Sequence, residues 1–201
     1  PLSKKTLARF WIHGEHLLVD GKKMAKRFKN FYTLADIEKK NYNPLALRYL
    51  YISSHYRQQL NLTFEALQNA HNTLKKLQRC LDDFKKGMKE GLVSPPIKYS
   101  IDNYMKDFEI AMDDDLNTSE ALAVLHSFVY SHKDVSGTDY VLSTADRFAV
   151  VEALKKFDSV FAFFDWSEKK VDAALKKEVD GLVAQREAFR KEKKFKEADE
   201  I

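Results

Sequence analysis

The sequence predicts a mainly α protein, an antiparallel helical bundle preceded by a short α/β segment. Three observations predict it. Only six Gly and four Pro occur in 201 residues, too few turn-formers for an all-β sandwich. From residue 33 onward, apolar side chains recur at helical spacing almost throughout. Residues 9–31 instead hold short apolar runs broken by an Asp-Gly turn. A composition of 44% hydrophobic and 32% charged residues belongs to a folding chain, not a disordered one. No apolar run approaches the roughly 18 residues of a membrane span. The single cysteine, Cys80, excludes an internal disulfide framework and points to a reducing compartment, the cytoplasm. Pro1-Leu2-Ser3 and Ala198-Asp199-Glu200-Ile201 lack the marks of natural ends, so a longer parent is expected.

Taken in order, Phe10, Ile12 and Leu17 to Val19 read as strand, Asp20-Gly21 as a turn, and Lys22 onward as an exposed basic loop ending near Asn30-Phe31. Thr33 caps a short helix through Lys40, with Asp36 in the first turn, where the dipole favours an anion. Asn43-Pro44 starts the next helix, because Asn caps and Pro loses nothing at the first helical position. That helix carries Leu45, Leu47, Tyr49, Leu50 and Ile52. Thr63 opens the clearest element. Leu67, Ala70, Leu74, Leu77, Leu81 and Phe84 alternate steps of three and four and form one stripe. Gly87 and Gly91 end it, Ser94-Pro95-Pro96 reads as a loop, and a helix is expected from Ser100 with Phe108, Ala111 and Met112 inward. Asp113-Asp114-Asp115 breaks that helix. Asn117 with Glu120 makes a capping-box-like start for a helix buried through Leu122, Leu125, Phe128 and Val129. A polar connection over 132–144 leads to a helix with Phe148, Val151, Leu154, Phe157, Phe161 and Phe164 on one side. In the tail, Leu175, Val179, Leu182, Arg186 and Phe189 keep the same stepping, with an arginine where an apolar residue belongs.

Charge placement says more than the net +4. Residues 1–30 hold eight cations against Glu15 and Asp20, while residues 168–201 are nearly balanced. Lys22-Lys23-Met24-Ala25-Lys26-Arg27 sets four cations within six residues. Such a loop is either a solvated turn or a cover for polyphosphate, neutralising charge that develops during displacement at phosphorus. The tail is either a solvated helix or a nucleic-acid surface through Arg186, Arg190, Lys193 and Lys194. Metal chemistry finds little support. Cys80 has no second sulfur near it in sequence, and His13 and His16 lack a thiol or carboxylate partner for zinc. His55, His71, His126 and His132 are scattered, and read as packing or surface residues. The three adjacent aspartates cannot converge on one cation from a helix end.

The stretch Phe10-Trp11-Ile12-His13-Gly14 through Leu18-Val19-Asp20-Gly21-Lys22-Lys23-Met24-Ala25-Lys26-Arg27-Phe28-Lys29-Asn30-Phe31-Tyr32-Thr33 resembles the Lys-Met-Ser-Lys-Ser region of class I aminoacyl-tRNA synthetases. Leu47-Arg48-Tyr49, His55-Tyr56-Arg57-Gln58-Gln59-Leu60-Asn61 and Ala111-Met112-Asp113-Asp114-Asp115-Leu116-Asn117-Thr118 are similar, in the same order, to motifs of the cysteinyl-tRNA synthetases. The chain departs from the pattern at Ala25 and Arg27, which replace serines, and at Phe28-Lys29, which replace Leu-Gly.

The resemblance implies the C-terminal portion of such an enzyme. Residues 1–40 would end the catalytic domain with the motif loop, and 41–100 would be connecting, stem-contacting helices. Residues 101–166 would form a DALR-type anticodon-binding bundle, and 167–201 a basic, truncated C-terminal helical part. It implies Lys26 and Lys23 as catalytic lysines, Lys26 meeting the ATP phosphates, with Met24, Ala25 and Arg27 completing the loop. Implied partners are ATP with Mg, cysteine and tRNA(Cys), in a monomer without membrane attachment. Zinc and the Rossmann half would lie upstream, so this chain alone would be inactive. Ligases joining cysteine to a small amine share the loop, and a stand-alone helical tRNA-binding module is the further alternative; the long helices and basic tail favour a tRNA substrate.

Overall fold

The computed structural model describes residues 8–133, 142–167, 181–183, 185–187 and 189–190. Residues 1–164 and 165–201 form two compact units.

In the first unit, β1 (Leu18–Val19) and β2 (Lys22–Lys23) pair antiparallel around Asp20-Gly21. Both turn residues have positive φ, 49° and 74°, the mirror-image turn that an Asp-Gly pair favours. β1 also pairs in parallel with β3 (Asn61–Leu62), giving the order β2-β1-β3. The expected earlier strand is absent among the described residues: Phe10, Trp11 and Ile12 are 87%, 66% and 68% exposed. Two-residue strands leave no sheet long enough to cover them. A second difference is that Lys22–Lys23 belong to the hairpin rather than to the loop.

The helices follow their caps. α1 (Leu34–Lys39) starts in a full capping box between Thr33 and Asp36. Those same bonds from Thr33 hold the Asp36 carboxyl below its ordinary pKa. α2 (Pro44–Ile52) has Asn43 as its cap and Pro44 in the first turn. α3 (Phe64–Lys85) buries every residue of the expected stripe, and Cys80 with it. α4 runs Pro95–Asp113, so the expected loop at Ser94-Pro95-Pro96 is instead the first turn of a helix. Proline at the first position costs no hydrogen bond and pre-sets φ, which the loop reading overlooked. α5 (Thr118–Ser131) starts at Asn117, whose side chain accepts from the Glu120 amide. α6 (Thr144–Phe161) buries Val150, Val151, Leu154, Phe157 and Phe161; Phe148 stays partly exposed. The core lies where α4, α5 and α6 meet. Phe108 stands edge-on to Phe157 at 4.9 Å, and Phe128 lies 5.3 Å from Phe157. α2 packs on α3, and α3 on α6.

In the second unit, residues 181–183, 185–187 and 189–190 are helical. Leu182, Arg186 and Arg190 are exposed there. Lys193, Lys194, Leu175 and Val179 lie outside the described residues, as do residues 134–141 of the expected polar connection.

Candidate functional site

The lysine loop stands on a fixed base. Leu18 donates to the Leu60 carbonyl (2.8 Å) and Asp20 to that of Leu62 (3.2 Å). The Gly21 amide donates to Oδ1 of Asn61 (2.9 Å). The hairpin is thereby pinned at three points to Leu60, Asn61 and Leu62, the stretch that leads into α3. Beyond β2, a single 3-10 turn (Lys26–Phe28) ends at Lys29, whose φ of 54° is left-handed. Asn30 then closes the loop on itself. Its Oδ1 accepts from the Ala25 amide (2.9 Å), and its Nδ2 donates to the Lys23 carbonyl (3.2 Å).

The backbone is thus tied at both ends while the cations stay in solvent. Lys22, Lys23, Lys26 and Arg27 are all exposed; Met24 and Ala25 are half-buried. Nζ of Lys26 lies 5.9 Å from the centre of the Phe31 ring, and the Arg27 guanidinium 4.6 Å from that of Phe28. Cation–π contacts of this kind hold a cation loosely over the face of a ring, where a polyanion could draw it off. Four cations with no carboxylate in the loop suit phosphate chemistry by charge. Asn30 and Asn61 were missed from sequence as builders of this site. Their signal is an Asn directly after the cation run, at Asn30, and an Asn two residues ahead of the Thr63 cap, at Asn61.

A second cluster joins distant parts of the chain. Asp115, at φ 52° just past α4, accepts from the Tyr56 hydroxyl (2.7 Å) and from Nη2 of Arg57 (3.1 Å), and its Oδ2 pairs with the Arg57 guanidinium 2.8 Å from Nε, which itself donates to the Tyr56 hydroxyl oxygen (2.9 Å). Nε2 of His55 lies 3.1 Å from the Asp115 carbonyl oxygen. The Tyr56 carbonyl in turn accepts from the Glu15 amide (2.9 Å), ahead of β1. One aspartate therefore ties the α4–α5 corner to the chain that carries the lysine hairpin. The aspartate run breaks its helix as expected, and also does this bonding, which spacing alone did not reveal. Arg48 of α2 donates from Nε to the Phe161 carbonyl and from Nη2 to that of Val160 (3.4 Å), capping the end of α6. Beside it, the Tyr49 hydroxyl lies 2.7 Å from Nε2 of His126. Burial pushes Tyr49 up to about 12 and holds His126 below its ordinary value.

Among the described residues, no group of three His, Cys, Asp or Glu side chains converges to hold a metal ion. No described helix is long and apolar enough to cross a membrane.

Residues 2–72 match the family model for the tRNA synthetases class I (C) catalytic domain, and residues 107–165 match that for the DALR domain. The lysine hairpin lies within the first match and the α4–α5 corner within the second. Among curated relatives, the cysteine–tRNA ligase of Chlamydia muridarum is 35% identical over 214 residues, covering 100% of this chain and 43% of its own length. That of Leptospira interrogans serogroup Icterohaemorrhagiae serovar copenhageni is 34% identical over 207 residues, covering 98% and 42%. That of Chlamydia abortus is 37% identical over 200 residues, covering 98% and 41%. The chain spans less than half the length of these relatives.

Proposed function

The chain belongs to the cysteine–tRNA ligase family and matches its C-terminal part, and from that premise we propose that it serves a ligase that activates cysteine with ATP and transfers it to tRNA(Cys). In this reading the cysteine carboxylate attacks the α-phosphorus, pyrophosphate leaves, and cysteinyl-adenylate forms. Lys26, with Lys23, meets the negative charge that builds on the departing pyrophosphate, where a cation on a pinned backbone stabilises the transition state more than the ground state. Met24, Ala25 and Arg27 shape the loop. Mg accompanies the nucleotide, and zinc belongs to the catalytic part of the whole protein outside these residues. Residues 1–40 complete that catalytic domain, 41–100 connect, and 101–166 bind the anticodon end. The tail, through Arg186, Arg190, Lys193 and Lys194, adds phosphate contacts. The whole enzyme acts as a cytoplasmic monomer.

The observation that carries this reading is the pinned hairpin. A solvated lysine turn needs no three-point anchoring, whereas a loop that must return to a defined place over a triphosphate does. In the whole protein, Lys26→Ala is expected to slow cysteine-dependent ATP–pyrophosphate exchange by about 10²–10³-fold, with helical content unchanged. Unaltered exchange would refute the role given to Lys26. Exchange catalysed by the 201-residue chain alone would refute the division of labour.

A further inference from the structure

The lysine hairpin hangs on residues 55–62, and the two ends of that strap are held by different means. At one end, β3 (Asn61–Leu62) runs directly into α3 through the Thr63 cap. The other end, residues 55–60, belongs to no helix or strand. Two bonds from the chain around β1 nevertheless finish there. The Glu15 amide donates to the Tyr56 carbonyl (2.9 Å) and the Leu18 amide to that of Leu60 (2.8 Å). An irregular stretch with few backbone bonds of its own sits at the low end of local stability, so something else must hold it still.

Asp115 supplies that hold, from a part of the chain far away in sequence. Its Oδ1 accepts from the Tyr56 hydroxyl and from Nη2 of Arg57, its Oδ2 pairs with the Arg57 guanidinium, and its carbonyl oxygen faces Nε2 of His55. The three strap side chains also lock to one another. The Arg57 guanidinium lies 5.5 Å from the centre of the Tyr56 ring, and the His55 ring stacks on Tyr56 at 4.8 Å. The backbone that presents Asp115 is strained. Asp115 and Leu116 have φ of 52° and 56°, and among the described residues no other adjacent pair without glycine is left-handed. Aspartate tolerates that region, whereas leucine adopts it rarely. Strain of this sort persists only where the surroundings over-determine it. Here the Leu116 and Asn117 amides donate back to the Met112 and Ala111 carbonyls at the end of α4 (3.1 Å each). Global stability does not account for the arrangement. The Asp115 and Arg57 side chains are 43% and 65% exposed, and an ion pair that open contributes little to the unfolding free energy.

We infer that Asp115 is a positioning residue for the reaction: by fixing residues 55–57 it aligns the hairpin, and with it Lys26, over the departing pyrophosphate. It acts through Lys26, so the inference rests on the role proposed above for that lysine.

In the whole protein, Asp115→Ala should lower kcat of cysteine-dependent ATP–pyrophosphate exchange about tenfold and leave KM for cysteine unchanged. Arg57→Ala breaks the same joint from its most open member, without touching the strained corner, and should act in the same direction. Asp115→Asn keeps an acceptor for Tyr56 and tolerates the left-handed backbone, so it should restore most of the rate. The deciding comparison is made in the Lys26→Ala background. There Asp115→Ala should slow exchange by less than about twofold, because residues that act through one another are not additive. A full tenfold loss in that background would make Asp115 independent of the lysine loop and overturn the inference. Wild-type kcat in both Asp115→Ala and Arg57→Ala would overturn it too, and either result leaves the proposed function standing. Unaltered exchange in Lys26→Ala alone would instead refute the role of that lysine, and this inference with it. A second readout needs no catalysis. In the 201-residue chain, hydrogen exchange at the Glu15 amide should quicken about threefold in Asp115→Ala, with amides in the middle of α3 unchanged. An unchanged Glu15 amide would show that Asp115 does not hold the strap and would overturn the inference.

Discussion

Asn30 does for the lysine loop what none of its cations can do. Lys22, Lys23, Lys26 and Arg27 repel one another, and the loop between them must turn through a left-handed residue at Lys29. A side chain with a β-carbon in that region costs about 1 kcal/mol or more relative to glycine. The Asn30 amide offsets this by satisfying the Ala25 N–H and the Lys23 carbonyl together. Asn30→Ala should therefore loosen the loop without unfolding the helices. Losing about 1 kcal/mol of local stability should speed hydrogen exchange at the Ala25 amide about fivefold, leaving amides in the middle of α3 unchanged. Lys29→Gly should act in the opposite direction and slow that exchange. Equal exchange in both variants would show that the loop geometry owes nothing to these two residues. Family resemblance marked Lys29 as a departure from glycine; its positive φ gives that departure a physical cost.

At the scale of elements, the joints hold more information than the helices. α3 was legible to the residue because one face is buried along its whole length, so the 3-4 stepping is complete. The start of α4 was not, since Ser-Pro-Pro serves equally as a loop or a first helical turn, and only packing decides. The choice was made partly by Asp146, which is 5% exposed in α6. It accepts from the Ser94 amide (2.8 Å) and from the Ser143 hydroxyl (2.8 Å), so one carboxylate holds the entries of two helices. Burial alone would raise its pKa, but the Ser94 amide and the Ser143 hydroxyl outweigh it and hold the carboxyl low. No local pattern links residues 94 and 146, so the sequence could not show this bond. The same holds for Asp115 with Tyr56 and for Arg48 with the end of α6. Each is a contact between positions far apart in the chain. Asp146→Ala takes the charged acceptor from the half-buried Ser94 amide and the Ser143 hydroxyl and should cost about 1–3 kcal/mol, read from the midpoint of a urea melt. Asp146→Asn, which retains an acceptor oxygen, should recover part of that loss.

For the first unit as a whole, the buried His132 and the half-buried His126 lead its response to acid. His132 is 3% exposed, with Nδ1 2.7 Å from the Phe128 carbonyl oxygen, and His126 meets the Tyr49 hydroxyl. Burial lowers the pKa of both below the ordinary 6.5, the Phe128 carbonyl countering it in part at His132. A depressed pKa means that the unfolded chain takes up the proton more readily than the folded one. Their contribution to stability is therefore complete above pH 6.5 and drains away as pH falls from there through the lowered values. Asp146, depressed from 3.8, follows the same sign in a separate window, losing its contribution only as pH falls below that range. The unfolding free energy should accordingly decline in two stages, the first beginning near pH 6.5 and the second below about pH 4. Urea melts at half-unit steps would resolve them. His132→Gln should shrink the first stage and leave the second in place, because glutamine offers a donor to the Phe128 carbonyl and takes up no proton. A first stage of undiminished depth in that variant would remove His132 from the account and leave the early loss to His126 and to His71, which burial and Lys75 also hold below its ordinary value.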